Sequence, residues 1–306
     1  MIKRTLYFGN PAYLSLKLKQ LVVRLPQADG EEKNDKNNIR TVPIEDIGIV
    51  ILDHKQITVT QALLAELLDN NCAVITCDSR QLPVGLLLPL AGNSIQNERF
   101  RNQLDASLPL KKQLWQQTIE AKIRNQEAML EYTTGEVHKN MLKWSDSVRS
   151  GDTENVEARA AVYYWKTLFP DNPFFVRDHE GGGANALLNY GYAILRAIVA
   201  RALVGSGLLP TLGIHHHNRY NAYCLADDIM EPYRPYVDKV VVDILNDDPD
   251  AEITVATKIQ LLNIPVTEVL IGGKKSPLMV AVSHTTSSLV KCFRGESRRL
   301  IYPEMK

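Results

Sequence analysis

Near residue 93 the sequence changes from strand-like patterns to helix-like patterns, and this change constrains the fold more than any other feature. Before it, short runs of β-branched and aromatic residues with period-two alternation, such as residues 5–8 and 47–52, predict strands. After it, long runs of good helix formers, such as residues 111–132 and 184–204, predict helices. We therefore predict an α+β protein, with a β-rich domain over residues 1–93 and a larger α-helical domain over residues 94–306.

Several local patterns add detail to these two parts. Residues 57–77 have the pattern of a β-α-β unit in which Thr60 can cap the helix, and residues 15–24 form another strand-like run. Residues 26–38 are polar and predict a loop or hairpin tip. In the second part, further helices are predicted by the segments 154–169, 225–244 and 253–262.

Charge and cysteine content limit the class of protein. The chain has 35 basic and 35 acidic residues, a balance that is unusual for a protein that binds nucleic acid alone. Basic residues nevertheless outnumber acidic ones over 99–124 and 274–306, whereas 227–252 is strongly acidic. Two interpretations of this pattern remain: basic strips beside an acidic pocket, or solvated helix faces that bind no partner.

The four cysteines form no C-x-x-C pair, which predicts a reducing compartment. The N-terminus lacks a signal core, and the apolar stretch 193–209 is short and contains two arginines, so we expect a soluble cytoplasmic protein.

A glutamate in the predicted helix 154–169 is the first candidate for chemistry. Glu157 shares a helix face with Ala160, Ala161 and Tyr164, so its carboxylate points toward packed structure. A carboxylate is rarely buried without a partner, and a nearby cation would satisfy it. An exposed or salt-bridged helix glutamate is the alternative.

Three consecutive histidines, His215, His216 and His217, form the second candidate. Neutral imidazole is the commonest metal ligand in proteins, but adjacent side chains diverge, so one of the three is expected to reach any given metal. The other two would bond to backbone or contact phosphate. A polar surface loop is the alternative interpretation.

Acidic residues follow directly after the histidine run. Asp228 and Glu231 are three residues apart on a predicted helix and can approach one cation together, with Asp227 beside them. One imidazole with two or three carboxylates is a nitrogen and oxygen ligand set that suits Mg²⁺ or Mn²⁺. Such an ion polarises a scissile phosphate and assists the attacking or leaving oxygen, so the pattern predicts metal-dependent phosphoryl transfer.

Three motifs, at 185–192, 213–216 and 228–235, resemble in order and separation those of the CRISPR-associated integrases of the spacer-acquisition (adaptation) machinery, in a type II-like form. The helix with Glu157 and the opening strands fit as well, so the resemblance covers essentially the whole chain. It implies an N-terminal β-sandwich-like dimerisation domain and an all-α catalytic domain.

The resemblance also implies the residues of the site. Glu157, His216 and Glu231 match the catalytic residues that hold the Mg²⁺ or Mn²⁺ ion, although the third histidine departs from the family pattern. The supporting residues of the prediction are Asp228, Asn185, Asn189, His215 and His217. The two asparagines could position Glu157, contact DNA or pack between helices.

The implied reaction inserts a short DNA duplex into a CRISPR repeat array, by attack of a 3′-hydroxyl on a repeat phosphodiester. The implied partners are double-stranded DNA and a small CRISPR-associated adaptation subunit that joins two homodimers into a heterohexamer, with no membrane. Plausible phosphate contacts, with no sign of base reading, are Lys274, Lys275, Arg294, Arg298 and Arg299. A plain metal-dependent nuclease and a non-catalytic DNA-binding scaffold are the alternatives. Residues 181–183, three glycines, are predicted to be a hinge because they lack the lysine and the preceding strand of a phosphate-binding loop.

Overall fold

A computed structural model describes residues 3–26, 39–169 and 175–306 of the chain. It divides the chain into two compact units, Met1–Gly92 and Asn93–Lys306. Among the described residues, the first unit contains strands and one α-helix, and the second unit is mostly helical, so the predicted α+β class is confirmed. Beyond Pro26, the predicted loop over 26–38 lies outside the described residues.

The N-terminal unit contains two four-stranded sheets, with the orders β1-β5-β7-β8 and β4-β3-β2-β6. In the first sheet, β8 alone runs antiparallel to its neighbour; in the second, β6 alone pairs in parallel. The elements are β1 (Arg4–Phe8), β2 (Ala12–Lys17), β3 (Gln20–Arg24), β4 (Ile39–Pro43), β5 (Ile47–Leu52), β6 (Ile57–Val59), α1 (Gln61–Asp69), β7 (Ala73–Cys77) and β8 (Pro83–Leu87).

The strand-like run over 15–24 is a hairpin rather than one strand. Lys17 pairs with Gln20, and the two residues between them, Leu18 and Lys19, have φ of 49° and 59°. Two positive φ values in a two-residue turn give the twist that antiparallel neighbours require. Alternation alone does not reveal this turn, because neither residue is a glycine or an asparagine.

One apolar cluster joins both sheets of the N-terminal unit. Leu14 and Leu21 from one sheet, Val50 and Val74 from the other, and Leu63 of α1 are buried together in it. Two sheets that share an apolar core form a sandwich-like arrangement. Thr60 occupies the N-cap position of α1, as predicted, but its side chain makes no capping bond.

The second unit is built around long helices. It also contains a small antiparallel sheet of order β10-β9-β11, so the expectation of an all-α domain was wrong in this detail. Its elements are α2 (Gln96–Leu104), α3 (Leu108–Thr134), α4 (Lys139–Ser147), α5 (Val156–Leu168), α6 (Ala184–Gly205), α7 (Cys224–Met230), α8 (Arg234–Asp247), α9 (Val255–Leu261), β9 (Glu268–Ile271), β10 (Lys274–Pro277), α10 (Leu278–Phe293) and β11 (Pro303–Glu304).

The helix predicted over 225–244 is interrupted. α7 ends at Met230, a short 3₁₀ helix covers Glu231–Tyr233, and α8 begins at Arg234. Pro232 and Pro235 cause the interruption, because proline lacks a backbone N–H and cannot continue the hydrogen-bond ladder of an α-helix. The break sets Glu231 at a corner between two helices.

Helix α6 is the core helix of this unit. The helix is 22 residues long and apolar enough to cross a membrane, judged by length and composition alone. The shorter apolar stretch 193–209 considered in the sequence analysis did not suggest this. However, 83% of the relevant window is buried inside the protein. Gly191 lets α8 approach closely, because a Cβ there would lie 2.5 Å from Cγ1 of Val237. Such burial is typical of a helix packed in a protein core.

Candidate active site

Two predicted ligands meet at a lysine. The Nζ atom of Lys122, on α3, lies 2.6 Å from Oε1 of Glu157 on α5 and 2.7 Å from Oε2 of Glu231 in the 3₁₀ helix. The side chains of Lys122 and Glu231 are 10% and 6% exposed, and that of Glu157 is 23% exposed. The two carboxylates, 74 positions apart in sequence by their residue numbers, therefore converge on one positive charge.

Glu231 is held from two sides. Its Oε1 atom accepts a bond from Nη2 of Arg234 at 2.9 Å, while Oε2 faces Lys122. The next residue is fixed as well, because Nδ2 of Asn125 donates to the carbonyl of Pro232 at 2.7 Å. Burial disfavours the ionised form of Glu231, yet Arg234 and Lys122 outweigh it and hold the pKa of this carboxyl below its ordinary value. Glu231 is thus a buried carboxylate.

His216, the predicted imidazole ligand, is oriented by Asp228. Its Nδ1 atom lies 2.5 Å from Oδ1 of Asp228, whose side chain has no exposed surface. With Nδ1 bonded to a carboxylate, Nδ1 carries the proton and Nε2 of the neutral ring is left as the acceptor. The bond to Asp228 raises the pKa of His216, and the charges of Glu231 and Glu157 act in the same direction.

Backbone amides surround the same carboxylate. The N–H groups of Ile214 and His215 donate to Oδ2 of Asp228 at 2.7 and 2.9 Å, and that of His216 donates to Oδ1 at 3.3 Å. Gly213 permits this approach, because a Cβ there would lie 2.4 Å from the carbonyl oxygen of His216 and 2.7 Å from Oδ2 of Asp228. Residues 213–217, called the histidine loop below, therefore fold around the buried carboxylate of Asp228.

The three histidines have different environments. The ring of His215 stacks on that of Trp115, with centroids 4.1 Å apart and planes within 2°, and His216 meets the same indole edge-on at 5.5 Å. Burial lowers the pKa of His215, so a neutral ring is favoured there. His217 is exposed. Among the three, His216 alone combines an oriented ring with neighbouring carboxylates.

The remaining supporting residues have structural contacts of their own. Asp227, the acid next to Asp228 in sequence, pairs with Arg196 at 2.7 Å. Oδ1 of Asn185 accepts from the backbone N–H of Asp178 at 2.9 Å, and Nδ2 of Asn189 donates to the carbonyl of His179 at 2.8 Å. These contacts tie both asparagines to the segment that precedes α6, and the role of the asparagines in the site remains a prediction.

The predicted phosphate contacts lie closer to the C-terminus in sequence than Glu157, His216 and Glu231 do. Lys274 and Lys275 are exposed on β10, and Lys275 pairs with Glu268 at 2.7 Å. Arg294 pairs with Glu296 at 3.1 Å where α10 ends. Arg298 and Arg299 follow in an exposed, irregular segment.

A divalent cation fits the chemistry of this donor set. Two carboxylates and one imidazole are hard oxygen and borderline nitrogen donors of the kind that Mg²⁺ and Mn²⁺ accept. Among the described residues, no three acidic, histidine or cysteine side chains are already arranged around one point as a metal cage. The ammonium of Lys122 instead lies between Glu157 and Glu231, where it provides the positive charge that these carboxylates require.

Comparison with known proteins decides the family. The family model described as CRISPR associated protein Cas1 matches residues 6–252. The CRISPR-associated endonuclease Cas1 of Neisseria meningitidis serogroup C (strain 8013) is 37% identical over 290 residues, which cover 94% of this chain and 91% of that protein. The chain belongs to the Cas1 family. It is therefore an enzyme of the CRISPR-associated endonuclease class, as the resemblance implied.

Solved structures agree with this Cas1 fold. A casposase bound to integration product matches with a TM-score of 0.77 at 19% identity, covering 98% of this chain and 92% of the casposase chain. A chain of a Cas6-RT-Cas1–Cas2 complex matches with a TM-score of 0.74 at 19% identity, covering 100% of this chain and 36% of that one. At such identities the likeness shows the fold alone.

The sequence analysis missed two residues of this candidate site, Lys122 and Arg234. Lys122 was counted only as part of a basic strip, although it follows Trp115 and Ile119 at spacings of seven and three on α3. A lysine in a helical stripe of buried residues is a signal of an internal ion pair. Arg234 was missed as well, although it follows Glu231 by three residues, which is the spacing of an ion pair on one helix face.

Proposed function

We propose that this protein is a metal-dependent DNA integrase that joins a captured DNA duplex to a CRISPR repeat array. The observation that carries the proposal is the convergence of Glu157 and Glu231 on one cation, beside an imidazole oriented by a buried acid. Phosphoryl transfer depends mostly on positioning and on stabilising negative charge, and such a site serves both.

In this proposal Glu157, His216 and Glu231 hold Mg²⁺ or Mn²⁺. The bound ion supplies Lewis acidity that polarises the phosphodiester and stabilises the oxyanions of the displacement. Asp228 keeps Nε2 of His216 as an acceptor, and Arg234 keeps Glu231 ionised. The attacking 3′-oxygen forms a new bond to phosphorus as the old bond to the repeat strand breaks, so the number of phosphodiesters is conserved and no covalent enzyme intermediate is needed.

The proposed partners follow from the family and from its structural neighbours. One neighbour is a casposase bound to integration product and another belongs to a Cas1–Cas2 complex, which favours double-stranded DNA and a small second CRISPR-associated subunit as partners. We further propose that residues 1–93 mediate homodimerisation and 94–306 contain the catalytic site. Two homodimers and the small subunit would then form a heterohexamer. An enzyme that acts on a cellular repeat array shares its compartment, which favours the cytoplasm.

The proposed DNA-binding surface is the C-terminal basic group. Lys274, Lys275, Arg294, Arg298 and Arg299 are its members. Lys275 and Arg294 are paired with nearby acids. Phosphate contacts would replace these exposed pairs at small cost, because an exposed ion pair contributes about 0–1 kcal/mol.

A strand-joining assay tests the proposal. The protein and the small subunit are incubated with Mn²⁺, a duplex with free 3′-hydroxyls, and a supercoiled plasmid that contains the repeat. Joined product that disappears in Glu157→Ala is the expected result. Cleavage without joining would instead identify a plain nuclease, and joining that persists in Glu157→Ala would reject the proposed metal site. If neither product forms, the non-catalytic scaffold gains support.

A further inference from the structure

Lys122 takes part in no step of the reaction described so far, although it lies at the centre of the site. It belongs to the buried face of α3, and its ammonium contacts Glu157 and Glu231 at 2.6 and 2.7 Å. A buried ammonium without partners is strongly disfavoured, so both carboxylates are needed to keep the charge in this position. The converse also holds, because the two carboxylates need a cation between them.

The four charges that pair directly with one another are balanced, with the carboxylate of Asp228 close by behind His216. Lys122 and Arg234 contribute two positive charges, and Glu157 and Glu231 contribute two negative ones. Oε1 of Glu231 faces Arg234 while Oε2 faces Lys122, so both oxygens of that carboxylate are engaged. A divalent cation that joined the group without displacing anything would leave an excess of positive charge in a site of low dielectric constant. The ammonium and the metal therefore compete for the same two carboxylates.

We propose that Lys122 is a built-in counter-ion: a divalent cation replaces its ammonium between Glu157 and Glu231, and the released ammonium binds a DNA phosphate. This inference rests on the proposed function. A displaced lysine needs a new negative partner, and lysine is a common point-charge ligand of phosphate. The exchange keeps the carboxylates ionised and close together before the metal arrives.

The exchange links metal binding to DNA binding. Metal entry moves the ammonium away from the carboxylates, and a phosphate compensates for the contacts that the ammonium loses. By linkage, DNA must then strengthen metal binding by the same factor by which metal strengthens DNA binding. A lysine that merely supported the fold would not produce such coupling.

Titration of metal-stripped protein with Mn²⁺ by calorimetry tests the inference. Lys122→Met removes the competing charge, and we expect it to bind Mn²⁺ at least about tenfold more tightly than the natural chain. Lys239→Met is the matched control, because Lys239 pairs with Asp243 on α8, 2.9 Å away, outside the site. Its Mn²⁺ affinity should equal that of the natural chain. Lys122→Gln, which keeps a hydrogen-bond donor without the charge, replaces Lys122→Met if the latter fails to fold.

A second titration, with a short duplex present, tests the phosphate step. DNA should tighten Mn²⁺ binding about five- to tenfold in the natural chain and much less in Lys122→Met. Unchanged or weaker Mn²⁺ binding in both Lys122 variants, or equal DNA coupling in all proteins, would overturn the inference. Glu157→Gln distinguishes failure of the proposed metal site from failure of the counter-ion role of Lys122. If it abolishes Mn²⁺ binding, the proposed metal site stands whatever Lys122 does; if binding survives, the metal lies elsewhere and both proposals fail.

Discussion

Nδ1 of His216 lies 2.5 Å from Oδ1 of Asp228, and this acid also accepts hydrogen bonds from three consecutive backbone amides. One buried carboxylate therefore fixes both the path of the histidine loop and the orientation of an imidazole ring. Carboxylates that orient histidine ligands in this way are frequent in metal sites. Asp228 is the positioning residue of this site, and its two oxygens serve different groups.

Asp228→Asn is expected to lower Mn²⁺ affinity and strand joining about 10- to 100-fold. An asparagine that keeps its oxygen toward the amides of Ile214 and His215 must turn its NH₂ group toward Nδ1 of His216. The ring would then adopt the other tautomer, with its proton on Nε2. Calorimetry and the joining assay measure the effect, and circular dichroism verifies the fold. Asp227→Asn is the control, since Asp227 pairs with Arg196; losses of equal size in both variants would contradict this role of Asp228.

Gly213→Ala is expected to destabilise the protein by about 1–3 kcal/mol, because the new methyl group would overlap the carbonyl of His216 and the carboxylate of Asp228. Urea denaturation measures the change in the free energy of unfolding. Gly182→Ala provides the comparison, since a Cβ there would have no neighbour within 4 Å. Equal stability of the two variants would show that the loop can shift without cost.

Asn125→Ala is expected to cost roughly 2–4 kcal/mol of stability, because two buried backbone carbonyls and one partly buried N–H lose a partner at once. Nδ2 of Asn125 donates to the carbonyls of Pro232 and Pro303, at 2.7 and 3.0 Å, and its Oδ1 accepts from the N–H of Met305 at 3.0 Å. Chemical denaturation compares it with Asn263→Ala, which removes one exposed bond of 3.3 Å. A difference below about 0.5 kcal/mol between the variants would argue against this bracing role.

Asp238 makes the stability of the helical unit depend on pH. Burial raises the pKa of this carboxyl from 3.8 to about 6, although Tyr192 and Tyr164 donate hydrogen bonds to it. Between these pH values the unfolded chain has lost the proton that the folded chain retains. The free energy of unfolding therefore falls as pH rises from 4 to 6.5, with a contribution of up to roughly 3 kcal/mol from this group.

The matched variant is Asp238→Asn, which can still bond to both tyrosines but cannot ionise. Denaturation at several pH values should show that its stability, relative to the natural chain, improves steadily between pH 4 and 6.5. A constant difference across this range would mean that Asp238 titrates with its ordinary pKa.

Much of the fold could be predicted from the sequence, because periodicity reports which residues are buried. The change from strands to helices, the helix that contains Glu157, and the long helix α6 all follow from such patterns. The hairpin turn at Leu18 and Lys19 could not be predicted, because its positive φ values fall on residues with no preference for them. The sheet formed by β9, β10 and β11 was missed as well, since two to four residues per strand are too few to show a period.

The candidate site could be predicted only in part from the sequence, for a different reason. Motif resemblance indicated Glu157, His216 and Glu231, and their roles as ligands remain predictions. The ion pairs that join Glu157 and Glu231 to Lys122 depend on how α3 packs against α5 and against the break at Glu231–Tyr233, which is a tertiary property. The pair between Glu231 and Arg234 is local, because the two residues are three apart. Asp228 was given a supporting role on sequence grounds, whereas its amide contacts follow from the fold of the histidine loop.

Helix α3 presents three groups to this region: Trp115 to the histidine loop, Lys122 to the carboxylates, and Asn125 to the backbone of Pro232. They span about 15 Å along the helix axis, at 1.5 Å per residue. One residue inserted or deleted between Trp115 and Asn125 would rotate one group by about 100° relative to the others. Related chains should therefore vary freely in the identity of exposed residues here, yet keep this segment at constant length, while insertions accumulate in the connections outside it.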